Sequence, residues 1–310
     1  MAKFLVTGGA GFIGSNIVKA LLDNGDTVRV MDNLITGRLI NIDPFMNKIE
    51  FLNKNLTILD DCRFAVNGMD YILHQGAIPS VPRSVKDPLT TNNANIVGTL
   101  NLLVAARDAK IKRLIYAASS SAYGDSVVMP KVETMESSPK SPYAIQKLTG
   151  EIYCQTFSKL FGLETISLRY FNVFGPNQDP DSTYSAVIPR FIKYILDDKK
   201  PVIYGDGLTS RDFTYVQNNV HANILACMAD NKAVGKVINI ACGYQTSLIQ
   251  LTEKINKYLN KNISCEFEPE RTGDVKHSLA DISRAEILLG YKPIVSFDEG
   301  LAKTIEFYKS

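Results

Sequence analysis

Residues 1–16 read MAKFLVTGGAGFIGSN. Phe4–Val6 form an apolar run of strand length, and from Ile13 to Leu22 apolar residues recur at helical spacing. Between the two lie Gly8, Gly9, Gly11 and Gly14. Glycine there permits a tight turn, lets a ligand approach the backbone, and lets the helix sit close against the strand. The first amides of such a helix face an anion. One glycine turn is a weak signal alone, so the rest of the unit must follow it.

It does follow. The next strand-like run, TVRVMD (27–32), ends in Asp32, eighteen residues beyond Gly14. A carboxylate at that place suits the ribose hydroxyls of an adenosine and repels a 2′-phosphate, which favours NAD over NADP. Arg38 stands against this, because a nearby guanidinium could accommodate that phosphate. Strand-like runs continue as KIEFLN (48–53), DYILHQ (70–75), RLIYAAS (113–119) and ETISLRYF (164–171). Helical stretches separate most of them, the clearest being Ile17–Leu22, Asn92–Asp108 and Tyr143–Phe161. The alternation predicts an α/β fold with a doubly wound, mainly parallel Rossmann sheet. After Gly175 the texture changes to loop-rich stretches, PNQDPDS, YGDGLTSRD and EPERTGDVKHS. Residues 1–174 are therefore expected to form the dinucleotide-binding part and 175–310 a smaller carboxy-terminal substrate-binding lobe. The two interleave, because GKVINIAC supplies one more strand near 236–241.

Bulk properties narrow the function. The 310 residues can bury a substantial core, and the net charge is only +2, from 34 basic and 32 acidic side chains. The basic residues are scattered, which argues against a nucleic-acid surface. Five cysteines (Cys62, Cys154, Cys227, Cys242, Cys265) contain no CxxC pair, and an odd number fits no complete disulfide framework. Each is expected to be buried, reduced and structural. His74, His221 and His277 lack metal-ligand spacing, so no metal is expected. No apolar run spans a bilayer, and the chain enters a strand at once without room for a signal peptide. A soluble, cytoplasmic protein is the expectation.

The chemistry is read from SPKSPYAIQK (138–147). Tyr143 and Lys147, four apart, share one face of a helix. Ser141 suits the N-cap and Pro142 the first helical position, which puts Tyr143 near the positive end of the dipole. A neighbouring ammonium, the helix end and a cationic nicotinamide would all draw the phenol below its usual pKa of ~10. Such a tyrosine can serve as a general base near neutrality. YAASSSAYGD (116–125) places hydroxyls at the carboxy end of a strand, where they can meet a substrate in the cleft.

Five features together resemble the extended short-chain dehydrogenase/reductase family over essentially the whole chain. They are TGGAGFIG (7–14), Asp32, the serines before Tyr123-Gly124, Tyr143-x-x-x-Lys147 and LRYFNVFGP (168–176). HQGAIPSVPRSVKDP (74–88), AASSSAYGD (117–125) and GDGLTSRDF (205–213) are most similar to its nucleotide-sugar 4-epimerases, particularly the UDP-N-acetylglucosamine 4-epimerases. The resemblance implies Tyr143 as catalytic base and Lys147 as its partner, also holding the nicotinamide ribose. Ser119, or Ser120 if the turn is shifted by one, would hydrogen-bond the sugar O4. For the NAD cofactor it implies Gly8, Gly11, Phe12, Ile13 and Gly14 at the pyrophosphate, and Asp32, Asn33 and Gly37 at the adenosine. Asn55 and Leu56 fall beside adenine, where the family usually has an aspartate before the aliphatic residue. Gln75, Gly76, Ala77 and Asn95 complete the cofactor set. For a UDP-sugar it implies Asn172 at the diphosphate, Ala186, Val187 and Ile188 along the uridine, and Tyr204 against uracil. Arg211 and Arg271 would bind the diphosphate, Asp274 the ribose, and Ser278 would lie against the C2 substituent.

Dehydratases and decarboxylases of the family usually place a glutamate two or three positions after the strand-end hydroxyl. Ser121 and Ala122 stand there in this chain. The resemblance therefore implies a 4-epimerase working through a transient 4-keto sugar. A serine at 278 leaves room for an acetamido group, so UDP-GlcNAc and UDP-GalNAc are the expected pair, with UDP-Glc and UDP-Gal weaker. A UDP-glucose or UDP-glucuronate 4-epimerase, an oxidoreductase releasing NADH, and a non-catalytic NAD-binding sensor are the alternatives. Homodimerisation is expected through Asn92–Asp108 and Tyr143–Phe161, which carry Leu100, Val104, Ile152 and Phe157 beyond one face.

Overall fold

A computed structural model of the chain describes residues 1–180, 186–270 and 276–309. Every strand-like run named above is a strand in it. In chain order come β1 (Lys3–Thr7), α1 (Phe12–Asp23), β2 (Thr27–Asp32), β3 (Ile49–Asn53), α2 (Leu59–Val66) and β4 (Tyr71–His74). Then follow α3 (Val81–Lys86), α4 (Pro88–Asn92), α5 (Gly98–Asp108), β5 (Arg113–Ser119), α6 (Pro142–Phe161) and β6 (Glu164–Tyr170). Beyond these the elements shorten: β7 (Val173–Phe174), α7 (Val187–Leu196), β8 (Val202–Tyr204), β9 (Ser210–Arg211), β10 (Thr214–Tyr215) and α8 (Val216–Met228). The last are β11 (Val237–Ile240), β12 (Thr246–Ser247), α9 (Leu248–Leu259), β13 (Glu266–Glu268), α10 (Ser283–Leu289) and α11 (Phe297–Lys309).

Seven strands form one sheet in the order β11-β6-β5-β4-β1-β2-β3, and each adjacent pair runs parallel. GKVINIAC joins it as β11 beside β6, far from its sequence neighbours. Successive side chains alternate between faces, so each strand feeds two cores. Phe4, Val6, Val28, Val30, Leu73 and Ile115 pack with Ile17 and Leu21 of α1 and Val220 of α8. Leu5, Met31, Ile72, Leu114 and Tyr116 pack on the other side with Ala65 of α2, Leu102 and Leu103 of α5, and Cys154 of α6. A third core joins Phe174, Phe213 and Tyr215 to α7, α9 and α11. Each fully buried Leu or Ile contributes about 2 kcal/mol, so two filled faces hold the sheet between its helices.

Strand order reverses at β1, which has β2 on one side and β4 on the other. The carboxy ends of β1 and β4 part there, opening the crevice where such sheets bind ligands. Gly8 enters the turn at φ +67, and a Cβ on it would stand 2.7 Å from the Gly76 backbone. A Cβ on Gly14 would lie 2.1 Å from the Gly8 carbonyl oxygen. Only glycine lets α1 approach the turn this closely.

The helix expected at Asn92–Asp108 differs in its bounds. It begins at Pro88, where the Asp87 carboxylate caps the Thr90 amide, and it passes through a π-turn at Asn93–Val97 before α5. The wide turn aims Asn95 at the loop that follows β4. Among the apolar residues expected on a free face, Phe157 is buried and packs on Phe161 at 4.9 Å. Leu100 and Val104 are half-buried against the α2 side of the core. Ile152 is exposed, as are Ile145, Leu160, Phe161 and Val97. All five cysteines are free thiols, with Cys242 and Cys265 half-buried rather than buried. Among the described residues no helix is long and apolar enough to cross a membrane, and no cluster of side chains has metal-ligand geometry.

Candidate active site

A cavity of about 770 Å³ opens at the strand-order reversal. Gly8, Gly11, Phe12, Ile13, Gly14, Asp32, Asn33, Gly37, Asn55, Leu56, Gln75, Gly76, Ala77, Tyr143 and Lys147 all line it. Fifteen of the sixteen cofactor positions expected from the sequence thus meet in one space. Helix α1 is capped by Gly11 without any side-chain hydrogen bond, so its first amides are left for an anion at the cavity wall. Asp32 accepts from the amides of Ala10 (3.0 Å) and Leu34 (2.8 Å). Burial nevertheless raises its pKa, against the lowering by those two bonds.

Asn95 is the exception. It is buried behind the wall, accepting from the Ile78 amide (2.7 Å) and donating to the Ile78 carbonyl (3.0 Å) and Gln146 Oε1 (2.8 Å). Its side chain is fully used in fixing the β4–α3 loop, so it positions the cavity lining rather than forming it. A polar chain steadies the same strand end. The Thr99 hydroxyl donates to Asn95 O (2.7 Å) and so accepts from His74 Nε2 (3.0 Å); His74 Nδ1 then accepts from Thr7 Oγ1 (2.7 Å). Burial pushes the His74 pKa down to about 3, which keeps the imidazole neutral and structural.

The Tyr-x-x-x-Lys segment folds as its sequence requires. Ser141 Oγ caps the Ala144 amide at 3.2 Å and Pro142 opens the helix, a cap worth about 1 kcal/mol. The Tyr143 amide donates instead to Ser84 Oγ (3.0 Å), a partner on α3. The Ser119 hydroxyl lies close enough to the Tyr143 phenol to lower its pKa. Ser119 Oγ accepts from the Ser121 amide (3.2 Å) and the Ser121 hydroxyl (2.8 Å).

The expected lowering of the Tyr143 pKa is not a property of the polypeptide itself. Burial pushes it up to about 12, opposed by the Ser119 hydroxyl. Lys147 is the group shifted toward neutrality: burial draws it down to about 8, while Cys154 and Glu151 resist. Its Nζ donates to the Ala117 carbonyl (2.9 Å) and lies 5.0 Å from the centre of the Tyr116 ring. Ser121 and Ala122 bring no carboxylate to the phenol, and Asp125 turns away to Lys140 at 3.4 Å.

A second cavity of about 280 Å³ adjoins the first, sharing Val173 and Ala186. Asn172, Ala186, Val187, Ile188, Tyr204 and Arg211 line it, as the sequence reading expects of a substrate site. Asn172 sits at φ +32 and donates to Asp212 O (3.3 Å). Ser278 lines neither cavity; its amide donates to Ser210 O (3.1 Å), so it stands beside the strand that carries Arg211. Arg271 and Asp274 fall outside the described residues. Arg190 and Tyr170 are among the lining residues that were not foreseen. Arg190, on the first turns of α7, lines the second cavity. Tyr170 lines the first, its hydroxyl bonded to Gln75 Oε1 (3.2 Å) and Asn223 Nδ2 (2.7 Å). Tyr170 lies inside the LRYFNVFGP stretch, but Asn223 is a helical asparagine with no local signal.

A doubly wound parallel sheet with a glycine turn, a strand-end carboxylate and a Tyr-x-x-x-Lys helix at one crevice defines a dinucleotide-dependent enzyme of the short-chain dehydrogenase/reductase class. The chain belongs to the NAD dependent epimerase/dehydratase family, whose model matches residues 4–241. NAD is its cofactor. It is 42% identical, with a TM-score of 0.95, to the UDP-N-acetylglucosamine 4-epimerase from Methanobrevibacter ruminantium M1 solved with UDP-N-acetylmuramic acid, over 99% of this chain and 98% of that one. It is 35% identical, with a TM-score of 0.94, to the UDP-glucose 4-epimerase from Thermotoga maritima solved with UDP-glucose, over 99% and 98%. It is 34% identical, with a TM-score of 0.92, to the UDP-glucuronic acid 4-epimerase from Bacillus cereus solved with UDP-glucuronic acid and NAD, over 99% of each chain. These three relatives are UDP-sugar 4-epimerases.

Proposed function

We propose that the protein interconverts UDP-GlcNAc and UDP-GalNAc by epimerisation at C4, with UDP-Glc and UDP-Gal as weaker substrates. The observation that carries the reaction type is the Ser119 hydroxyl close to the Tyr143 phenol, with Ser121 and Ala122 where an eliminating enzyme would need a carboxylate. Tyr143 takes the O4 proton and returns it, while Ser119 holds O4 by hydrogen bonding. When bound, NAD supplies a reversible two-electron acceptor and a positive charge opposing the burial that raises Tyr143. Gly8, Gly11, Phe12, Ile13 and Gly14 would hold its pyrophosphate through backbone amides, Asp32, Asn33 and Gly37 its adenosine, and Lys147 its nicotinamide ribose. Asn172, Arg211 and Arg271 would carry the substrate diphosphate, two guanidiniums suiting a dianion. Ala186, Val187, Ile188, Tyr204 and Asp274 would hold the uridine. Residues 1–174 with β11 act as the NAD-binding part, and the remainder acts mainly on the UDP-sugar.

The substrate preference rests on Ser278, a small hydroxyl residue beside the Arg211 strand, and on the resemblance to the Methanobrevibacter enzyme. Purified protein given UDP-GlcNAc, UDP-Glc and UDP-GlcA in turn, with the C4 epimers separated, measures the preference directly. Ser278→Tyr should suppress the acetylated pair far more than the plain pair, because overpacking acts where the added atoms lie. An unchanged ratio of the two activities would remove Ser278 as the gate, and a dominant UDP-glucuronate activity would replace the proposed substrate.

A further inference from the structure

A guanidinium, that of Arg38, stands in the cofactor cavity with Asp32. The backbone amide of Arg38 donates to Ala10 O (2.9 Å), which ties the loop after β2 to the glycine turn. Its side chain lines the same cavity as Asp32, Asn33 and Gly37. A guanidinium in that position is the group that accepts the 2′-phosphate of NADP. Its neighbour comes from far along the chain: Arg38 Nη1 lies 3.6 Å from Asp179 Oδ1, and Asp179 lines the cavity too.

Asp179 is held there by a segment anchored on both sides. Asn16 Nδ2 donates to Pro176 O (3.1 Å), and Asn177 Nδ2 donates to Ser15 Oγ (3.0 Å), joining the segment to α1. The Tyr308 hydroxyl of α11 donates to Gln178 O, and Gln178 Nε2 donates to Val173 O (3.4 Å). Residues 176–179 therefore stand across the cavity mouth from residues 36–38, and their carboxylate meets the guanidinium.

We propose that Asp179 is a determinant of the preference for NAD over NADP, acting by holding Arg38. The inference rests on the larger cavity being the NAD site. A 2′-phosphate entering beside Asp32 would have to compete with Asp179 for Arg38, and it would stand near a second carboxylate. The pair is half-exposed, so its leverage is that of a surface ion pair, at most about fivefold in affinity. It is also sensitive to salt.

The test is fluorescence titration of the full-length protein with NADH and with NADPH, for wild type, Asp179→Asn, Arg38→Ala and the double variant. Saturable NADH binding by wild type, with NADPH much weaker, is expected. Asp179→Asn should raise NADPH affinity relative to NADH by about three- to fivefold at low salt, and high salt should erase the gain. Arg38→Ala in the Asp179→Asn background should cancel it. An unchanged NADH-to-NADPH ratio in Asp179→Asn, as a merely structural role would give, overturns the inference. So does a gain that persists without Arg38. Wild type that binds NADH normally while these variants fail separates this from the cavity assignment, whereas no NADH binding at all overturns both.

Discussion

Glu151→Gln probes the charge buried beneath the catalytic helix. Glu151 lies one turn after Lys147 on α6 and accepts from Arg169 Nε (2.8 Å) and Nη2 (2.7 Å) of β6. Both side chains are almost wholly buried, at 2% and 5% exposure. The guanidinium also lies 4.5 Å from the centre of the Tyr123 ring, whose hydroxyl donates to Asn239 Oδ1 (2.7 Å). Gln keeps the shape of Glu151 and removes the charge, which leaves a buried guanidinium without its counter-ion. Breaking a buried pair from one side costs about 3–5 kcal/mol, far above the ~1 kcal/mol of a surface pair. For a chain of this size that lowers the melting temperature by roughly 6–15 °C.

The same substitution leaves a second signature, in pH. Lys147 releases its proton at about 8 in the folded protein against an ordinary 10.5. Between those values the unfolded chain binds more protons, so this group makes stability rise with pH across the window. Glu151 is one of the charges that hold the Lys147 proton on. Its loss should therefore move the start of the rise to lower pH. Thermal melts from pH 6 to 10 on wild type, Glu151→Gln and the apolar double variant Glu151→Leu/Arg169→Met measure both effects. The double variant should recover most of the melting temperature, because no charge is then left unpaired. A Glu151→Gln protein within about 1 kcal/mol of wild type, with an unmoved pH window, would refute the account of this pair.

Tyr143→Phe removes the proton acceptor and keeps the ring, so turnover should fall at least ~10²-fold while NADH and UDP-sugar binding persist. Near-normal epimerisation by this variant would eliminate Tyr143 as the base. The exposed Ile145 and Ile152, two turns apart on one face of α6, with the exposed Val97 at the π-turn before α5, leave an apolar face suited to a second copy of the chain, and we propose a homodimer through it. Light scattering at micromolar concentration should give twice the chain mass, and Ile152→Glu should shift it toward the monomer; a monomeric wild type would dispose of the proposal.

Local patterns sufficed for much of this protein. Period-two apolar runs, glycines at a strand end and a Ser-Pro cap are set by backbone sterics and by hydrogen bonds between near neighbours. They were legible because their causes lie within a few residues. Tyr143 and Lys147 were legible as a pair for the same reason, one helical turn apart. Asn95, expected on the helix behind the cofactor, is buried behind the cavity wall on a π-turn that residue spacing does not reveal. The rise that burial gives the Tyr143 pKa was not legible, because desolvation depends on what the whole fold packs around a phenol, while motif reasoning counts only charges. Asn223 beneath Gln75 and Tyr170, Arg169 against Glu151, and Asp179 facing Arg38 join residues far apart in sequence. Side chains alone carry no record of such meetings. Sheet order and loop anchoring bring them together, and only the tertiary structure decides which charges are paired, which are buried, and which face the ligand.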